Sequence, residues 1–156
     1  FQDRSLQEAI GAFDRRTRFK WRLASDGVCF VCAGRVSVAY TDAAVELDHH
    51  DRYAEFFAAD HPALFHLSCQ NCSFYSYVPV GVRLLDEPTV VGQLSARGVD
   101  LTSRPLWELP FVVDAERAGD CDRDPWRVRV DAPTPGGTVG VTLDADGRVD
   151  SVTLRP

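Results

Sequence analysis

Two cysteine pairs limit this chain more than any other feature. Cys29-Phe-Val-Cys32 and Cys69-Gln-Asn-Cys72 are CxxC motifs with 36 residues between them. Two residues between cysteines let both thiolates of a tight turn face one ion. Two such knuckles together complete a tetrahedral sulfur shell around Zn²⁺. Four of the chain's five cysteines lie in these pairs, so chance pairing explains little. The gap exceeds the ordinary spacing, so an insertion sits between the knuckles. Two disulfides or four reduced core thiols are the competing arrangements. Four sulfurs leave no open position for water, so the expected zinc is structural and not catalytic. Iron suits four thiolates as well.

The chain has 156 residues, 45% of them hydrophobic. That length and composition fit one domain with a packed core. No run approaches the roughly 20 apolar residues that span a membrane. No charged-then-apolar leader opens the chain. A cytoplasmic location is expected, and there CxxC pairs bind metal more often than they form disulfides. The chain starts at Phe1 and contains no Met, which leads us to expect a piece of a longer or processed polypeptide. Lys20 is the single lysine against sixteen arginines, and the net charge is −6. An Asp-rich, nearly lysine-free surface is expected of adaptation to high salt or of a GC-rich genome. At low salt such a domain is repelled by nucleic acid, and at high salt phosphate attraction is screened. It is therefore not expected to be the main DNA-gripping surface.

The pattern predicts an α+β fold: zinc-ribbon hairpins carrying the four paired cysteines, an N-terminal helix, a central helical segment and a C-terminal antiparallel β-meander. Ser5-Leu-Gln-Glu8 is a capping box, and Leu6, Ile10, Phe13 and Trp21 follow at near-helical spacing, so a helix spans 5–23. Arg15, Arg16 and Arg18 lie on its other faces and read as solvated, with a nucleic-acid or partner contact as the alternative. The ribbon with its insertion occupies 28–80, with Gly34 closing the first knuckle at positive φ. Val45–Leu47 reads as a return strand, and 48–63 is a short helix or bulky loop. A helical segment covers 86–110: a helix after Pro88 that ends at Gly98, then one turn near Pro105. Gly92 weakens that helix, and a close neighbouring backbone would explain it. Residues 124–155 form the meander, with a hairpin turn at Asp144–Gly147.

Asp48-His49-His50 lies between the knuckles and resembles the ββα-metal (HNH-like) nucleases. There a His activates water for phosphodiester attack, the role His49 or His50 would take, with Asp48 orienting or ligating. The remainder of that catalytic set is missing: the stretch before the second CxxC is Leu64–Leu67, and Ser73 follows it. Histidines ending a surface hairpin are the preferred reading. His66, three residues before Cys69, is a candidate to replace a thiolate as ligand or to bond a metal-bound sulfur from outside the shell, with simple packing as the plainer reading. His61 carries little signal. Cys121 sits in an acidic stretch that disfavours its thiolate. Trp107 and Trp126 read as core anchors, with base stacking as the alternative. No Gly-rich phosphate loop, Ser-His-Asp set or dinucleotide fingerprint is present, so no enzyme is expected.

Several stretches carry a family resemblance: Ala12-Phe-Asp-Arg-Arg16, Leu23–Cys29, Tyr77-Val-Pro-Val-Gly81, Gly98-Val-Asp-Leu101, Pro105–Leu109 and Asp124-Pro-Trp-Arg-Val128. Together with the cysteine spacing they resemble the C-terminal, zinc-ribbon-bearing region of haloarchaeal winged-helix regulators of the arsenic-repressor (ArsR) type. The resemblance implies a single accessory domain over 1–156 of a DNA-binding transcription regulator. Its winged helix would lie upstream and make the DNA contact. A homo-oligomer is expected. Only Cys29, Cys32, Cys69 and Cys72 carry over with a role.

Overall fold

The computed structural model describes residues 3–42, 63–114 and 121–156. Helix α1 spans Leu6–Ser25. Its start is the expected capping box: Ser5 Oγ accepts from Glu8 N, and Glu8 Oε2 accepts from Ser5 N at 2.8 Å. Three strands follow, β1 (Val36–Asp42), β2 (Ala63–Cys69) and β3 (Tyr75–Pro79). They form an antiparallel sheet in the order β1-β2-β3. The return strand expected at Val45–Leu47 and the 48–62 segment lie outside the described residues.

The connection between the sheets is helical, as expected, but begins earlier. A 3₁₀ helix over Val80–Leu85 buries every residue except Arg83. Helix α2 (Pro88–Ser95) follows with Pro88 in its first turn, and Gly98 ends the segment at φ +77°. A second 3₁₀ turn, Leu106–Glu108, leads into α3 (Pro110–Val113). Gly92 does not sit under a neighbouring backbone, since a Cβ there would meet nothing within 4 Å. The close approach occurs at Gly81, where a Cβ would collide with the Phe111 carbonyl.

The second sheet is antiparallel and four-stranded, β4 (Cys121–Arg123), β5 (Trp126–Thr134), β6 (Gly137–Asp144) and β7 (Val149–Arg155), in chain order. β4 is not among the elements the sequence predicts; its pairing with β5 lengthens the meander by one edge strand. Alternation sets the faces. Val128, Val130 and Ala132 of β5 lie opposite Leu143, Val141 and Val139 of β6, all six fully buried. On the other face Asp131 takes ion pairs from Arg129 at 3.0 Å and from Arg155. These apolar residues share one buried core with Phe65, Leu67 and Val78 of the first sheet and Val90 and Leu94 of α2.

Helix α1 is fastened to this body through charge. Asp14 is buried, accepts from Arg18 Nε at 2.9 Å and caps the 106–108 turn by accepting from Leu106 N at 2.8 Å. Arg18 also donates to the Leu101 carbonyl at 2.9 Å. Arg18 is therefore not the solvated cation that the arginine run suggests. No helix among the described residues is long and apolar enough to cross a membrane.

Candidate metal centre

The first knuckle is a reversal between a single β-bridge, Val28 with Arg35, and the start of β1. Within it Cys29 N donates to Gly34 O at 2.9 Å, and Ala33 N donates to Cys29 O at 2.8 Å. The positive φ expected at Gly34 belongs instead to Ala33, at 55°. Gly34 is needed for a different reason. A Cβ there would lie 3.1 Å from Cys32 Sγ, 3.3 Å from Cys69 Sγ and 2.8 Å from Asn71 Cβ. The second knuckle joins β2 to β3, closed by Cys69 N donating to Phe74 O at 2.9 Å. Gln70 N donates to Arg35 O at 2.9 Å, which ties one knuckle to the other.

This arrangement brings Cys29, Cys32, Cys69 and Cys72 together, with their sulfurs all within 4.8 Å of one another. Cys29 Sγ lies 3.7 Å from Cys72 Sγ, and Cys32 Sγ lies 3.6 Å from Cys69 Sγ. A tetrahedron of sulfurs ~2.3 Å from a central zinc has edges of about 3.8 Å, so the cluster could hold a metal ion. Cys29 is buried and the other three are half-buried. Backbone and amide groups point at the sulfurs: Val31 N at 3.4 Å from Cys29 Sγ, Asn71 N at 3.3 Å from Cys69 Sγ, and Asn71 Nδ2 at 3.7 Å from Cys32 Sγ.

The electrostatics ask for a cation. The Gly34 backbone N–H, and then the Asn71 side chain, lower the Cys32 thiol to about 6. At Cys72 the Phe74 backbone N–H favours the thiolate. Desolvation and the neighbouring sulfurs outweigh it and push that thiol up to about 12. Four sulfurs this close cannot all carry negative charge unless a positive ion offsets them. A thiophilic ion held by four thiolates has no site left for a reacting water.

The remaining residues singled out from the sequence fall elsewhere. His66 lies at mid-β2, where alternation puts it on the face opposite Cys69, and its ring stacks on Tyr77 with centroids 5.0 Å apart. The hydrogen bonds to sulfur come instead from Val31, Asn71 and the backbone N–H groups of Gly34 and Phe74. Asn71, inside the second CxxC, is readable from sequence only as a spacer, because its role requires the opposite knuckle to be in place. Asp48, His49, His50 and His61 lie outside the described residues. Cys121 belongs to edge strand β4 and not to a loop. Trp126 packs against Tyr40 with ring centroids 5.6 Å apart, whereas Trp107 is exposed and no core anchor.

A family model described as a domain of unknown function, DUF7351, matches residues 1–149. No curated protein and no solved structure matches the chain.

Proposed function

This chain belongs to the DUF7351 family, and from that premise we infer a zinc-binding accessory domain of a DNA-binding transcription regulator. The observation that carries the metal part is the quartet of sulfurs within 4.8 Å of one another. Zinc is preferred because it accepts a closed tetrahedral sulfur shell and has no redox chemistry to protect. Its task here is mechanical. The knuckles expose Val28 and Val31 and bury little apolar surface of their own, so an ion holding both supplies what packing does not. The regulator part is supported by the sequence stretches that resemble winged-helix regulators of the ArsR type. In that setting the domain dimerises, presents a partner surface or senses an effector, while an upstream winged helix reads DNA. The closed shell of four thiolates and the acidic composition favour this accessory role over phosphodiester cleavage by Asp48 and His49.

Cys32→Ser and Cys69→Ser each test the metal. We expect bound zinc near one ion per chain in the wild type, its loss in both variants, and a lower melting temperature. Cobalt substitution should produce the intense thiolate-to-metal charge-transfer absorption of a sulfur-ligated ion. Unchanged metal content and stability in the variants would remove the reading.

A further inference from the structure

We propose that two copies of this chain pair antiparallel through the outer face of α1. The proposal deepens the accessory reading and rests on it for the presence of a second copy. Leu6, Ile10 and Phe13 are 78%, 44% and 58% exposed, although they form one stripe of the helix. Their spacing of four, then three, continued by Thr17 four residues on, is that of a coiled-coil seam. The residues that fasten α1 to the body, Asp14 and Arg18, lie on the adjoining face. Nothing among the described residues covers the stripe.

A second copy suits this stripe in area, spacing and charge. Large apolar side chains carry roughly 150–250 Å² each, so the uncovered parts of these three come to roughly 350 Å² per copy. That is the size of the largest apolar patch on an ordinary monomer, a patch that is often functional. Doubled by two-fold symmetry and widened by Arg4, Ala9 and the stem of Arg16, it reaches about 1,000 Å², the lower bound of a specific interface. A groove of about 440 Å³ beside Ile10, walled by Gly11, Pro105 and Trp107, takes up the flank of the second helix.

Charge selects the direction. Arg16, Arg18, Lys20 and Arg22 lie in the C-terminal half of α1, and Arg15 sits just before its midpoint. A parallel pair would set these halves side by side. An antiparallel pair with its two-fold axis between Ala9 and Ile10 separates them and opposes the helix dipoles favourably. That register sets Leu6 of one copy against Phe13 of the other.

Sedimentation velocity over a concentration series, in low and high salt, reads the pairing. The wild type should dimerise, and Leu6→Glu or Phe13→Lys alone should weaken the dimer at least about tenfold. The combination Leu6→Glu/Phe13→Lys should recover it, because only the antiparallel register sets the new charges against each other. A monomeric wild type, single variants that remain dimeric, or a double variant that fails to recover would each overturn the proposal. Helical circular dichroism shows that the variants, which change exposed positions, are folded. Zinc content of the same samples separates the two readings. A zinc-free dimer upholds the pairing and removes the clamp, and a zinc-bound monomer does the reverse.

Discussion

Three positions show how little a residue's identity says until its neighbours are known. Gly92 and Gly81 are both glycines in helical segments, yet opposite effects are expected. Gly92 is exposed with open space around a would-be Cβ. Gly92→Ala should raise stability by about 0.5–1 kcal/mol in urea melts, mainly by restricting the unfolded chain. Gly81→Ala drives a methyl into the Phe111 carbonyl and should cost about 3 kcal/mol. Both are only glycines in the sequence; which of them another segment approaches is a long-range fact. Asp100 carries a pH signature. The Thr102 hydroxyl and backbone N–H donate to its carboxylate at 2.7 and 2.8 Å, the hydroxyl first in effect, and hold it at about 2 against the usual 3.8. Its folded value is depressed, so its contribution is complete above about pH 4 and is lost as pH falls through the folded value. Asp100→Ala should therefore be less stable than wild type at neutral pH, with the gap narrowing in acid melts.

Helix α1 is the element whose existence is plainest from the sequence and whose orientation is least so. The capping box and the 3.6-residue recurrence of apolar side chains place its start and length, because both signals are local. The same recurrence runs through Leu6, Ile10, Phe13 and Trp21, yet only Trp21 packs against the core and the other three stay exposed. Periodicity marks a face but does not say what that face meets. The body instead takes Ala24 and the Asp14–Arg18 pair. The pair's side chains are 11% and 19% exposed, so its loss has consequences. Asp14→Ala strands a guanidinium and the Leu106 N–H and should cost about 3 kcal/mol. Adding Arg18→Met should recover part of that loss, and a double-mutant cycle in thermal or urea melts measures how much. The meander is the more legible element, since β5 and β6 alternate apolar and polar residues and Gly147 supplies the turn at φ +75°, whereas β7 breaks the alternation at a register shift opposite Thr142 and Leu143. Only β4 is invisible there, because a three-residue edge strand has too few positions to show alternation.

One core runs under both sheets, while the ion would sit at the knuckle end of the smaller one. Metal removal should therefore be felt unevenly. After chelation, amide exchange should quicken first at 28–36 and 69–75, whereas Val128, Val130 and Ala132 and their partners Val139, Val141 and Leu143, buried to zero exposure, should keep their protection longest. Equal loss of protection in both sheets would mean that the clamp governs the whole fold. Before any folding, the spacing of the cysteines already implies a shared ion, because a CxxC turn is a local object with one sensible use for two of its kind. The α+β class follows from local periods in the same way. Four matters depend on packing between distant segments: that β1 and β2 set Val36 opposite Cys69, that Asn71 reaches across to Cys32, that Gly34 must lack a side chain, and that none of the described residues covers one stripe of α1. Each is decided by contacts tens of residues apart in the chain, where no local propensity has a voice.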